Sequence, residues 1–202
     1  MPLPNTAAAP PSLQSRYSAV AIGLHWTIAL AIAAQIGVGW YMGSLEDHSP
    51  AQRSLEAIHI SSGLTILLLT LARVAWALFR RPPPPIASLA PWERHLAKAV
   101  HDLFYVMLFA LPLSGWVMES IGRRPIPFWG ASWPHFPGLA AALAGHDAPA
   151  FKDTLEGVHG SLLVWTMVAL VGLHVLGALK HQFDGSPVLW RMLPLLKRPD
   201  PL

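Results

Sequence analysis

The sequence predicts an all-α integral membrane protein built as a four-helix bundle, on three observations. Its 202 residues are 53% hydrophobic and only 12% charged, with a mean hydropathy of +0.42, too apolar for a soluble domain of this size. Crossing a bilayer takes about 20 mostly apolar residues, and four stretches qualify: Tyr17 to Leu45, Ser54 to Phe79, Leu96 to Ile121 and Phe151 to Phe183. Within those stretches sit His25, His59, His159 and His174, and an ionisable side chain at such depth is costly and marks a functional position.

Taken in order, Met1 to Ser15 is rich in Pro, Ala and Ser and has no basic segment ahead of a short apolar core, so it reads as a disordered tail, not a cleaved signal peptide. A single four-helix domain follows over residues 16–199. The first connection, Glu46 to Arg53, is short and mainly acidic. The second, Arg80 to Arg94, holds a run from Pro82 to Pro85 that imposes extended backbone and forbids a helix. Pro112 is expected to kink the third span. The third connection, Gly122 to Ala150, is rich in Pro and Trp and is the one large enough to fold over a neighbour. The first and fourth stretches are long enough to tilt or to project beyond the hydrocarbon.

Charge sets the expected orientation. The net charge is +3 and the pI about 9.6, but the basic residues border the spans and form no continuous basic surface, so nucleic acid is not an expected partner. Lys and Arg favour the cytoplasmic side. With both termini inside, only Arg53, Arg123, Arg124 and Lys152 of the 14 basic residues remain outside, so both ends are placed in the cytoplasm and the long loop outside. Trp40, Tyr41, Trp116, Trp129 and Trp133 would then form an outer aromatic belt. The absence of cysteine excludes disulfides, thiolate-held iron–sulfur clusters and thioether-linked haem.

The depths of the histidines match in pairs. His25 lies roughly 12 Å from the inner start of the first span and His174 roughly 13 Å from the inner end of the fourth, while His59 and His159 lie roughly 7 Å and 9 Å from the outer ends. On the fourth span the two histidines are roughly 22 Å apart along the axis and about 60° from a whole number of turns, so one broad helix face reaches both levels. Paired imidazoles facing across a bundle are what axial clamping of two haem irons, one above the other, requires. The competing reading of any one histidine is a hydrogen bond to a neighbouring helix; two level-matched pairs favour haem. Zinc is disfavoured, since each level offers two ligands and a closed zinc site takes four. Gly23, Gly63, Gly160 and Gly177 lie close to these histidines in sequence and would leave room for a flat macrocycle, or for close helix packing.

Two further residues belong to the inner level. Arg73 is the charge well inside the second span, able to snorkel to headgroups or to pair with a haem propionate. His101, taken as a boundary position roughly 8 Å from the inner end of the third span, ranks third as an inner ligand and better as a hydrogen-bond donor to a propionate or quinone. His181, among Lys180, Gln182 and Asp184, reads as interfacial.

With these residues in hand, the chain resembles the bacterial cytochrome b-561 family, four-helix di-haem quinone-linked proteins of the inner membrane. The likeness runs from Arg16 to Pro199. It rests on Arg16-Tyr17-Ser18 followed by Leu24-His25-Trp26, on Ile58-His59-Ile60-Ser61-Ser62-Gly63, on Ala110-Leu111-Pro112-Leu113-Ser114-Gly115, and on Gly172-Leu173-His174. The resemblance implies axial ligation of two b-type haems by His25, His59, His159 and His174, and electron exchange with ubiquinone. It further implies a superoxide:ubiquinone oxidoreductase-like activity, or else a cytochrome b membrane anchor conducting electrons from a partner dehydrogenase or hydrogenase to quinone. Arg123, Arg124 and Lys152 bracket the outer loop and are the candidates to steer an anionic donor such as superoxide, or to contact lipid headgroups. A third class, a haem-free bundle relaying protons through its histidines, remains open on sequence alone.

Overall fold

The computed structural model describes residues 16–80, 82–84, 89–122, 124–184, 188–193 and 195–196. The tail over residues 1–15, Arg123 and part of the proline-rich connection lie outside the described residues. Four long helices form the body: α1, Ala19–Met42; α2, Pro50–Phe79; α3, Pro91–Ile121; and, after a hairpin β1, Ile126–Phe128, and β2, Ala131–Trp133, and a short α4, Leu139–Ala142, the helix α5, Ala148–Phe183. The long helices have 24, 30, 31 and 36 residues and are apolar enough to cross a membrane; even α1 extends about 36 Å, against a hydrocarbon core of about 30 Å.

Local chemistry starts the helices where they start. Ser18 and Ser49 accept hydrogen bonds from Ala21 N at 3.3 Å and Gln52 N at 3.1 Å, and Asp147 caps α5 through Ala150 N at 3.1 Å, each satisfying an orphan donor of a first turn. Pro91 occupies the first turn of α3, and Glu93 reaches back to Ala90 N at 3.0 Å. α3 therefore begins five residues before the hydropathy pattern places it. Pro112 lies within α3. The marked irregularity is in α5, where Val158–Leu163 widens to π geometry, a local bulge that often accompanies function; here it carries His159.

α1 packs on α2, α2 on α3, and α3 on α5. The core of Ile28, Ile32, Ile66, Val100, Met107, Leu108, Met167 and Leu170 draws on all four helices. Along α1 and α5 these residues fall between the two histidine levels, so an apolar layer separates them.

The first and last described segments meet at one end of the bundle. Trp26 Nε1 donates to Met192 O at 2.8 Å, Trp76 Nε1 to Ser18 Oγ at 2.9 Å and Arg191 to Pro84 O at 2.9 Å, Arg16 donates to Leu193 O, and the Arg191 guanidinium lies 5.7 Å above the Tyr17 ring. Buried Trp190 anchors this strap. At the opposite end the hairpin turns through Trp129 and Gly130 with φ of 49° and 88°, the left-handed pair a two-residue type I′ connection demands. It docks on α2: Trp129 N donates to Ser61 Oγ at 3.2 Å, Ser61 Oγ lies 3.2 Å from Pro127 O, and Trp129 Nε1 donates to Thr65 Oγ1 at 2.9 Å. Ile126 is 1% exposed beneath it. Ser61→Val removes a buried partner of the hairpin backbone and is expected to cost about 1–3 kcal/mol, seen as a lower Tm and faster proteolysis within residues 124–147.

The aromatic residues expected at the outer interface are held in two ways. Trp40 and Tyr41 are exposed, but Trp116 and Trp133 pack with each other at 5.9 Å and against Phe136 and Phe128 at 4.9 Å. Trp116 Nε1 also donates to Pro134 O at 2.8 Å. These two rings hold the long connection onto α3, because apolar area is better buried there than spread at an interface.

Candidate functional site

The fold brings the four span histidines together as two facing pairs, one near each end of the bundle. His25 of α1 and His174 of α5 have ring centroids 6.2 Å apart at 63°, forming a tier at the terminal end. His59 of α2 and His159 of α5 have centroids 6.3 Å apart at 74°, forming a tier at the hairpin end. Two imidazoles sharing one metal at about 2.0 Å each, with each centroid roughly 1.1 Å behind its nitrogen, are separated by about 6.2 Å. The ring separations of both pairs match that spacing.

The hairpin tier opens into a cavity of about 370 Å³ walled by all four long helices. Gly63 and Gly160 line it, but the glycines nearest the rings are ones that sequence proximity did not point to. A Cβ on Gly39 would meet His59 Cε1 at 3.5 Å, and one on Gly115 would meet His159 Cε1 at 3.5 Å. Near Gly23 and Gly177 a Cβ would meet nothing within 4 Å. The clearance comes from the neighbouring helix at the same level, so level matching between helices, not distance along one helix, was the usable signal.

The two rings of this tier are held differently. Ser114 Oγ lies 2.8 Å from Leu111 O and 2.8 Å from His159 Nδ1. Its hydroxyl proton goes to the carbonyl, so its oxygen accepts from Nδ1–H, leaving Nε2 as the electron-pair donor of His159. His59 Nδ1 is buried and takes no hydrogen bond among the described residues. Ser114→Ala therefore removes the ring hydrogen bond of His159 and leaves His59 untouched. With His159 as an axial ligand, that loss is expected to raise the midpoint potential of the haem it would hold by roughly 20–60 mV, the equivalent of one net hydrogen bond, in a spectroelectrochemical titration.

At the terminal tier the structure corrects the placement of His101. Because α3 begins at Pro91, His101 lies about 15 Å into the helix, not at its boundary, and its ring is 5.3 Å from that of His174, with Phe104 on the same ring at 5.4 Å. Arg73 of α2 lies within electrostatic reach of His25, His101 and His174. Three imidazoles and a guanidinium thus share this end. They do not converge as a zinc site: among the described residues the group of three whose ligand atoms lie within 4.8 Å of one another is Glu93, His181 and Asp184. That group is spanned by Lys180 Nζ, 2.7 Å from Glu93 and 2.9 Å from Asp184, and reads as an interfacial ion-pair network, as expected for His181.

The mouth of the hairpin-end cavity carries Glu56, Glu119, Glu156 and Lys152. Lys152 Nζ lies 3.3 Å from Glu156 in an exposed i,i+4 pair, which is weak in solvent. Of the three candidates for steering an anion, Lys152 faces a neighbouring carboxylate, Arg124 is exposed, and Arg123 lies outside the described residues.

Four apolar spans with an imidazole pair at each of two levels are an arrangement suited to a membrane cytochrome b. The comparisons with known proteins make this particular. The prokaryotic cytochrome b561 family model matches residues 16–195, and the chain belongs to that family. It is 31% identical to cytochrome b561 homolog 2 of Escherichia coli (strain K12) over 179 residues, covering 88% of this chain and 91% of the relative. It is 30% identical to the probable superoxide oxidase CybB of Yersinia pestis over 185 residues, covering 90% and 98%, and 24% identical to cytochrome b561 homolog 1 of Escherichia coli over 187 residues. The protein is a multi-pass bacterial membrane cytochrome b with a role in electron transfer, and its family implies b-type haem.

Proposed function

We propose that the chain holds two b-type haems, one between His25 and His174 and one between His59 and His159, and passes electrons from periplasmic superoxide to ubiquinone across the inner membrane. The observation that carries this is the recurrence of one ring separation, 6.2 Å and 6.3 Å, at two levels of a single bundle. A haem iron with two imidazole ligands supplies reversible one-electron exchange with no open coordination position. The chain's own residues bind, orient and insulate: Ser114 fixes the tautomer of His159, Gly39 and Gly115 keep the ring space clear, and the apolar layer from Ile28 to Leu170 keeps water from between the tiers.

With the termini in the cytoplasm, the hairpin end faces the periplasm. Two superoxide ions each give up one electron and leave as dioxygen; ubiquinone takes the two electrons and two protons and becomes ubiquinol. His101 and Arg73 are the residues for a quinone carbonyl or a propionate near the terminal tier, both being polar donors beside it. The similarity to a probable superoxide oxidase supports the choice of donor.

Anaerobic mixing of the purified protein with superoxide, and separately with ubiquinol, tests the reading. Rapid haem reduction by superoxide is expected; reduction by quinol alone would instead make the chain a conduit for a partner dehydrogenase. Arg123→Glu with Arg124→Glu should slow the superoxide step several-fold at low salt and much less at high salt. A stopped-flow rate indifferent to the double substitution would remove those residues from the steering role.

A further inference from the structure

Gln35 of α1 spends both ends of its amide on α2, around His59. Its Nε2 donates to His59 O at 2.9 Å, and its Oε1 lies 2.8 Å from Ser62 Oγ. The orientation of the amide follows from chemistry: a carbonyl only accepts, so the nitrogen must face His59 O and the oxygen must face the hydroxyl. The one hydroxyl proton of Ser62 is shared between Gln35 Oε1 and Ile58 O, the latter at 2.6 Å. Gly63 admits the arrangement, since a Cβ there would stand 3.3 Å from Gln35 Nε2, closer than ordinary contact. Gln35, His59 and Gly63 all line the same cavity.

We infer that Gln35 is the positioning residue for His59, acting through that residue's carbonyl and through Ser62. His159 is fixed by a hydrogen bond to its ring, whereas the His59 ring has none among the described residues; its position rests on its backbone and on the packing of α1 against α2. In a membrane interior, where no water competes, an amide bridging two helices sets their register at that level. Ser62 and Gly63 thereby take a role as parts of one clamp, with Gly63 present for the room it leaves.

The inference rests on the haem reading proposed above, and its test keeps the two apart. Gln35→Leu, which removes both hydrogen bonds at nearly equal size, is expected to speed haem loss to apomyoglobin roughly 10–100-fold at the hairpin tier and to shift that haem's low-spin EPR signal and potential. The signal affected is identified as the one that His159→Ala abolishes, and the other signal serves as the internal control of folding. Gly63→Ala should act in the same direction in the parent protein and have little effect beside Gln35→Ala, where no amide remains to be displaced. Equal shifts of both haems, no shift of either, or a Gly63→Ala effect undiminished in the Gln35→Ala background would overturn the clamp while leaving the haem reading standing. A parent protein with no haem at this tier overturns both.

Discussion

Alanine at His159 is expected to take the haem content from two equivalents per chain to one, with the surviving haem unchanged in spectrum and potential, and alanine at His174 should do the same to the other tier. On the proposed ligation each substitution removes one imidazole of a pair; at the hairpin end no third imidazole among the described residues has its ring beside His59 or His159, and the remaining histidine alone would then hold the macrocycle. The terminal end is the sharper case, because His101 lies 5.3 Å from His174. His101→Ala is expected to leave two low-spin haems, since the facing pair there is His25 with His174 at 6.2 Å. Haem content by pyridine haemochrome and spin state by EPR decide it. If His101→Ala costs a haem and His25→Ala does not, the terminal tier is paired differently from the geometry described here.

The second large effect comes from space instead of ligation. At Gly115 a Cβ would make an ordinary 3.5 Å contact with His159 Cε1, so Gly115→Ala is expected to keep both haems and, by the usual helix preference, to stabilise the chain by up to roughly 1 kcal/mol. Gly115→Leu carries its branched end into the cavity of about 370 Å³ beside the ring. It is expected to reduce the haem content by one equivalent while the helical circular dichroism stays that of the parent. Gly39→Leu should behave alike from the α1 side, where the contact is with His59. The contrast between alanine and leucine at one position separates loss of cofactor room from loss of fold, and a leucine variant retaining two haems would show that the ring space is not where the macrocycle lies.

Much of this organisation was legible in the chain because the bilayer simplifies the physics. Hydrocarbon thickness sets span length, and a buried histidine is conspicuous among apolar residues, so the four spans and the pairing of His25 with His174 and of His59 with His159 could be read from depth. Other features required three dimensions. The start of α3 was hidden because Pro91, Trp92 and Glu93 form a capped amphipathic turn that hydropathy scores as loop, and this displaced His101 from the tier it occupies. Gly39, Gln35 and Gly115 act on histidines of other helices, and no spacing along one helix announces that. The hairpin was obscured because its turn uses Trp129 at positive φ, a position that pattern rules assign to Asn, Asp or Gly; the compensation is the indole's bond to Thr65.

On the proposed reading a single chain of 202 residues holds two haems, one per tier. Pyridine haemochrome quantitation of the purified, detergent-solubilised protein against its amino-acid content tests this most directly. Two equivalents of b-type haem per chain, both low-spin in the oxidised state, is the result expected; a single equivalent, or none after reconstitution with excess haem, would contradict it.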